Sequence, residues 1–361
     1  MKHLDLYIAK HVLGGFLIIL LVIVGLDMIF ALIEELKDVR NDYDFPAAIE
    51  YILMTGPRRL YDHMPLSSLI GCLFGLGLLA SSSELTVMRA AGVSTLQICL
   101  SVMKPVLAIV FITLLAGEYI VPYTESSAQS KRQIKITEGG QIHDVSQVWH
   151  RDELTFIHIN AVDTDGSIRG VTRYEFNEDL TLSRSSFALS GVFDGGRWQL
   201  DSIRETRFPD ARSGAIDEQK LVIDHINREE WKSGLTPELL KVVMVKPAHL
   251  QMSGLIDYSR YLDEQGLAAQ QYRVAFWKKL LMPLAVFALV LIAVSFIFGP
   301  LRSVAVGQRL ITGIVFGLVF KLSQDMLGNT STVYGLPPFL AVFLPILICL
   351  VLGFWLLKRA R

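Results

Sequence analysis

Apolar residues fall in six long runs, and the widest polar stretch between them sits mid-chain. The runs cover about residues 12–33, 64–81, 96–121, 277–298, 310–327 and 339–357. A hydrocarbon core about 30 Å thick needs roughly 20 apolar residues of helix, so each run predicts a membrane span. The second run is the shortest, and residues 51–59 predict a helix leading into it. Lys2, His3 and Lys10 precede the first run, as they would in a secretory signal. The run is too long for a signal core, no A-x-A site follows, and it ends in Glu34-Glu35, so it reads as a retained helix.

Between the third and fourth runs the period changes. Phe156-Ile157-His158-Ile159, Val171-Thr172-Arg173-Tyr174-Glu175-Phe176, Ser186-Phe187-Ala188-Leu189, Arg197-Trp198-Gln199-Leu200 and Leu221-Val222-Ile223 are strand-like. Asp165-Gly166, Asn177-Glu178-Asp179 and Asp194-Gly195-Gly196 break them. Short strands with turn signals about every ten residues predict a sandwich, jelly roll or barrel. Residues 253–265 then predict a short helix returning the chain to the membrane. The expected fold is an α-helical membrane protein of six transmembrane helices with an inserted all-β, jelly-roll-like domain. Its parts are residues 1–121 (three spans and a short helix at 83–92), 122–265 (the β domain) and 266–361 (three spans).

Composition agrees: 52% of the 361 residues are hydrophobic and 19% are charged. The net charge of −1 gives no field that would favour nucleic acid. Cys72, Cys99 and Cys349 lie in or beside apolar runs and read as small packing residues, with no disulfide framework or metal spacing. Basic residues in short loops orient membrane proteins. Lys2, Lys10, Arg89, Arg302, Arg309, Lys358, Arg359 and Arg361 fall on one side, which places both termini in the cytoplasm and the β domain outside. The first outer loop holds Glu34, Glu35, Asp38, Asp42, Asp44 and Glu50, with Lys37, Arg40, Arg58 and Arg59 among them.

Enzyme signatures are missing. The sequence has no P-loop, so it cannot bind ATP by a P-loop of its own, and it has no H-E-x-x-H and no G-x-S-x-G. His143, His150, His158 and His225 lack metal-ligand spacing. The informative segment is Ser83-Glu84-Leu85-Thr86-Val87-Met88-Arg89-Ala90-Ala91-Gly92, between the second and third runs. Serine before glutamate resembles a cap, Gly92 a stop, and Leu85, Met88 and Ala91 share a face. Such a helix either lies in the membrane interface or docks into a groove on a cytoplasmic partner. Asp27, Lys321 and Asp325 are charged residues inside the spans; such residues face a cavity or a partner, or Lys321 and Asp325 pair locally at i,i+4. Lys131 and Arg132 lie just beyond the third run, where they either meet an anionic ligand or stand solvated.

With these residues in view, the chain resembles the YjgP/YjgQ permease family, which exports lipopolysaccharide, and looks more like its G-type than its F-type subunit. The likeness runs from Leu4-Asp5-Leu6-Tyr7-Ile8 through Ser83–Gly92 and Ser101-Val102-Met103-Lys104. Its most specific block is Ser295-Phe296-Ile297-Phe298-Gly299-Pro300-Leu301-Arg302-Ser303-Val304, with Gly307, Arg309, Thr312-Gly313, Phe316-Gly317 and Tyr334-Gly335-Leu336-Pro337-Pro338 after it. The resemblance implies an F and G pair on a dimer of cytoplasmic ATPases, LptB, which binds ATP and Mg while this chain binds no cofactor. It implies that the single helix of LptC packs beside the first span, and that lipopolysaccharide enters from the outer leaflet and passes through jelly rolls to LptC and LptA. It makes 83–92 the coupling helix, with Glu84 facing the ATPase and Leu85, Val87, Met88 and Arg89 beside it. It also matches Arg132 to a lipid-phosphate contact. Gln129 and Ala31 stand where relatives carry basic residues, so Lys131, Lys37, Lys321 and Asp27 join the expected lipid-binding set.

Exposing an acyl chain to water costs roughly 0.8 kcal/mol per methylene, so the lipid's route must stay covered. Phe156, Ile157, Tyr174, Phe176 and Phe187 are candidates to line that route in the outer domain; a plain sandwich core is their other role. Two rival readings remain. One is an ion-coupled secondary transporter using Asp27 and Lys321, and the other a membrane-anchored enzyme or assembly scaffold.

Overall fold

In a computed structural model, described over residues 2–39, 43–138, 148–152, 154–162, 166–208, 222–233, 236–237, 240, 246–264, 266–300 and 304–359, the chain is a helical bundle bearing one antiparallel sheet. His143, Asp165, Leu221, Gln265, Leu301, Arg302, Ser303, Arg361, Arg40 and Asp42, and the side chain of His150, lie outside the described residues. The helices are α1 (Lys2–Glu35), α2 (Phe45–Met54), α3 (Gly56–Ser81), α4 (Glu84–Ala90), α5 (Thr95–Leu115), α6 (Val121–Glu138), α7 (Met252–Glu264), α8 (Gln270–Phe298), α9 (Val306–Tyr334) and α10 (Pro338–Arg359). A π-helical turn, Ala116–Ile120, joins α5 to α6. Six helical stretches among the described residues are long and apolar enough to cross a membrane, matching the six runs.

The helices outrun the apolar runs that announced them. The second span begins at Gly56 rather than near residue 64. Arg58, Arg59, Asp62 and His63 interrupt its first two turns, and Pro65 follows. All four charged or titratable side chains find partners, so the helix continues: Arg58 on Glu125, Arg59 and His63 on Asp27, and Asp62 on His249. The third run likewise continues through the π-turn into α6, so the boundary expected at 122 falls within a continuous helical stretch, and the first strand among the described residues begins at Val148.

At the centre stands α8, with nearly every residue from Ala285 to Val294 buried. A helix apolar all round must be enclosed by others, and α3, α5, α9 and α10 pack on it. The tightest seam joins α1 to α3. A Cβ on Gly75 would lie 2.5 Å from the His11 carbonyl oxygen, and one on Gly71 would lie 2.5 Å from Phe16 Cα. Only glycine lets two backbones approach so closely, the small-xxx-small geometry of membrane helices.

The strands are β1 (Val148–Asp152), β2 (Thr155–Val162), β3 (Ile168–Phe176), β4 (Leu182–Asp194), β5 (Arg197–Arg207) and β6 (Val222–Trp231), paired in chain order, each antiparallel to the next. Among the described residues this is a meander; the crossover connections of a jelly roll are not among them. One face packs Ile157, Ile159, Val171, Ala188, Trp198, Leu200 and Ile203 into a core. Further along, the same face turns ionic. Arg173 is buried, donates to Ser186 Oγ (3.0 Å) and meets Glu229 at 2.5 Å. β3 and β6 are three strands apart, about 14 Å on a flat sheet, and the two long side chains reach towards each other across the strands between.

Candidate functional site

Two groups of candidate residues gather at opposite ends of α1. Tyr7 and Glu35 are 28 residues apart on one helix, about 42 Å at 1.5 Å per residue, more than a hydrocarbon core needs.

At the far end α1 unwinds into a 3-10 turn, Leu36–Asp38, and meets α2 and α6. Arg132 reaches across from α6. Its Nε donates to Glu35 Oε1 and its Nη2 to Asp38 Oδ2 (2.6 Å). The guanidinium lies over the rings of Tyr43 (5.9 Å) and Tyr51 (5.4 Å). Tyr43 donates its hydroxyl to Glu35 at 2.8 Å, and burial first, then Glu35, push its phenol pKa above the usual range. Lys131 pairs with Glu50 at 2.6 Å, with Lys135 behind it at 3.8 Å, and that hydrogen bond from Lys131 holds the Glu50 carboxyl below its usual range. Gln129, at a position where basic relatives were expected, bridges Tyr51 and Glu125 (3.0 Å each). The result is a cluster of three cations and three carboxylates, in which Arg132 takes Glu35 and Asp38 between two tyrosine rings and Lys131 and Lys135 share Glu50. An arginine guanidinium matches carboxylate and phosphate oxygens alike.

The other residues expected to join Arg132 and Lys131 are dispersed. Lys37 is exposed on the 3-10 turn. Asp27 lies two turns deeper in α1 and is engaged by Arg59, with His63 at 3.5 Å. Lys321 is exposed on α9, and the local pair with Asp325 does not form, because Lys278 of α8 takes Asp325 at 2.9 Å.

At the near end α4 follows α3 through Ser82 and Ser83. Ser83 occupies the cap position but is left-handed, with φ of 62°, and its side chain makes no cap bond. Ser82 instead donates to Glu84 Oε1 at 2.9 Å. Gly92, also at positive φ (89°), ends the helix as the sequence suggested. Leu85 is buried in the bundle core and Met88 packs against it. Arg89 lies over the Phe298 ring at the end of α8, 5.8 Å away. Val87 points out, 66% exposed. Glu84, expected to face a partner, turns to α1: Tyr7 Oη donates to its Oε2 at 2.7 Å. That bond, then the one from Ser82, holds the Glu84 carboxyl below the usual range.

In the sheet the five expected path residues divide. Register pairs Ile157 with Arg173, on the buried face. Phe156 pairs with Tyr174, Phe187 pairs with Thr172, and Phe176 meets Phe156 edge to face at 5.4 Å, all on the opposite face. Only Ile157 is in the core.

Sequence reading missed a third feature. Lys279, buried in α8, donates to the carbonyls of Gly117 (2.8 Å) and Leu250 (2.9 Å) and pairs with Glu118 at 2.7 Å. Glu118 also accepts the Met252 backbone N–H (2.9 Å). The π-turn aims Glu118 at this clasp, and such turns often mark functional positions. The available signal was a lysine and a glutamate inside apolar runs. No group of three metal-binding side chains occurs among the described residues.

Comparison with known proteins returns one family. The family model described as lipopolysaccharide export system permease LptF/LptG matches residues 6–359. The chain is 34% identical over 359 residues to the lipopolysaccharide export system permease protein LptG of Escherichia coli strain K12, covering 99% of this chain and 98% of that protein. It is also 34% identical over 362 residues to the protein of the same description from Haemophilus influenzae, with 99% of each covered.

Proposed function

The chain belongs to the LptF/LptG family of lipopolysaccharide export system permeases, and on that premise we propose that it is the membrane-spanning subunit through which a separate ATPase draws lipopolysaccharide from the outer leaflet of the inner membrane. The observation that carries this reading is α1 itself. One unbroken rod meets the basic, aromatic cluster of Arg132 at one end and the short helix α4 at the other. A lipid-headgroup site and an ATPase-docking element thus share a mechanical part.

The further assignments follow from the chemistry. α4 is the coupling helix: Leu85 roots it in the bundle, and exposed Val87 meets a groove on the ATPase dimer, LptB, where ATP and Mg bind. Both termini lie in the cytoplasm, and the sheet is the described part of a periplasmic jelly roll. α1 and α9 present bare apolar faces, among them Leu21 (73% exposed) and Met326 (70% exposed). These faces suit an F-type permease subunit, the helix of LptC, and acyl chains held between them. Arg132 and Lys131, with Lys37 nearby, take the lipid's phosphates. The lipid then passes to LptC and LptA. Covering a dozen methylenes throughout avoids roughly 10 kcal/mol per chain.

Ion coupling is disfavoured, because the cations that engage Asp27 are Arg59 and His63 of α3, and Lys321 stands on α9. The test is co-purification. Tagged chain, expressed with an F-type subunit and LptB, retains the ATPase, and Val87→Asp on the exposed face of α4 releases it. Wild-type chain that retains no ATPase removes this reading and brings ion coupling forward.

A further inference from the structure

A coupling helix is joined covalently only to its neighbours in the chain, here α3 and α5. Yet α1, not adjacent to it in sequence, carries Glu35 and runs into the 3-10 turn that carries Asp38, the two carboxylates that occupy Arg132 at the other end. Leu85 and Met88 tie α4 to the bundle core, and Arg89 reaches the end of α8. The polar tie from α4 to α1 is the Tyr7 hydroxyl on the Glu84 carboxylate, at 2.7 Å.

The start of α1 is firmly held, so a pull on it is not lost in fraying. Asp5 accepts from Ser101 and pairs with Lys104 of α5 at 2.7 Å. Ile8 and Val12 are buried in the core. The Tyr7 ring packs on His11, 4.4 Å between centroids. Above these, the glycine seam and the Asp27–Arg59 pair bind α1 to α3 along its length. A seam packed this closely is stiff and transmits strain along the helix.

We infer that Tyr7 is a positioning residue of the transport stroke: by holding Glu84 it passes movement of α4 to α1, and so to the carboxylates that hold Arg132. This rests on α4 being the coupling helix. Glu84 then serves two contacts, the ATPase surface and α1, and the hydrogen bond to Tyr7 distinguishes productive motion of α4 from motion absorbed within its own loop. A hydroxyl–carboxylate bond suits this role, because it is directional and strengthened by the charge, yet exposed enough to break and re-form in each cycle.

The experiment uses the assembled complex of this chain, an F-type subunit and LptB in liposomes. ATP hydrolysis and lipopolysaccharide released to a soluble acceptor are measured on the same sample. Tyr7→Phe keeps the ring on His11 and removes only the hydroxyl. The expected result is ATPase retention and thermal unfolding like wild type, hydrolysis within twofold of wild type, and at least threefold less lipid released per ATP. Glu84→Gln, which still accepts the tyrosine hydroxyl, keeps more of that ratio than Tyr7→Phe. If Glu84→Ala uncouples release from hydrolysis but Tyr7→Phe leaves the ratio unchanged, Tyr7 has no such role and the coupling helix stands. If Glu84→Ala changes neither assembly, hydrolysis nor release, α4 is not the coupling element, and the inference falls with it.

Discussion

Replacing Gly75 by alanine should open the seam between α1 and α3. The added Cβ would lie 2.5 Å from the His11 carbonyl oxygen, 3.0 Å from its carbon and 3.0 Å from Val12 Cα. All three are backbone atoms of a regular helix, so no rotamer change relieves them. Ordinary carbon contacts sit near 3.5 Å, so the helices must separate by about 1 Å. A gap of that size forfeits a quarter to a half of each attractive contact along the seam. Overpacking of this kind costs about 1–3 kcal/mol, and the upper end applies here because the backbone cannot yield. Gly14→Ala and Gly25→Ala are the controls. Both lie on α1, and an added Cβ there meets nothing within 4 Å. Alanine should be neutral at these positions or gain up to about 1 kcal/mol from helix propensity. The assay is unfolding of the purified chain in mixed micelles titrated with denaturing detergent. Gly75→Ala behaving like Gly14→Ala would refute the close approach of the two helices.

Lys279→Met should cost about 3 kcal/mol, because it leaves Glu118 and the Gly117 and Leu250 carbonyls without their cation; detergent thermal unfolding checks this, and a wild-type midpoint would dismiss the clasp. Tyr7→Phe should raise the Glu84 pKa towards the ordinary carboxylate value, since the tyrosine bond is the main cause of its depression. A depressed folded pKa means that the contact contributes fully above the unfolded carboxylate value, about 4.3, and is lost as pH falls through the lower folded value. Carbon-13 NMR of labelled glutamate carboxyls reads this directly, and an unmoved Glu84 titration would show that the bond is not made. Arg132→Ala should abolish lipopolysaccharide stimulation of the complex's ATPase while the basal rate persists; full stimulation would take Arg132 out of the lipid site.

The membrane frame was legible because a span must be apolar for about 20 residues whatever it packs against. Its ends were less so. The helix of the second span begins at Gly56, and the polar side chains that hid its first turns are paired with Asp27, Glu125 and His249 from distant parts of the chain. Such pairs exist only once the fold is formed. The glycine seam was readable as Gly71-x-x-x-Gly75, a spacing with a physical meaning in membranes. α4 was also legible, since its length and Gly92 follow local rules, but the turn of Glu84 towards Tyr7, 77 residues away, does not. The division of the five sheet residues could have been foreseen in part. Phe156 and Ile157 are neighbours on one strand, and neighbours on a strand face opposite sides. The ionic half of the inner face could not, because Arg173 and Glu229 stand 56 residues apart on strands that are not neighbours and meet only in the folded sheet.

The most direct test of the account is ATP-driven release of lipopolysaccharide from proteoliposomes holding this chain, an F-type subunit and LptB, with LptC and LptA as acceptors. The account predicts release that requires ATP, persists when the proton gradient is collapsed, and fails with Glu84→Ala. Release that continues without ATP and stops with the gradient would contradict it.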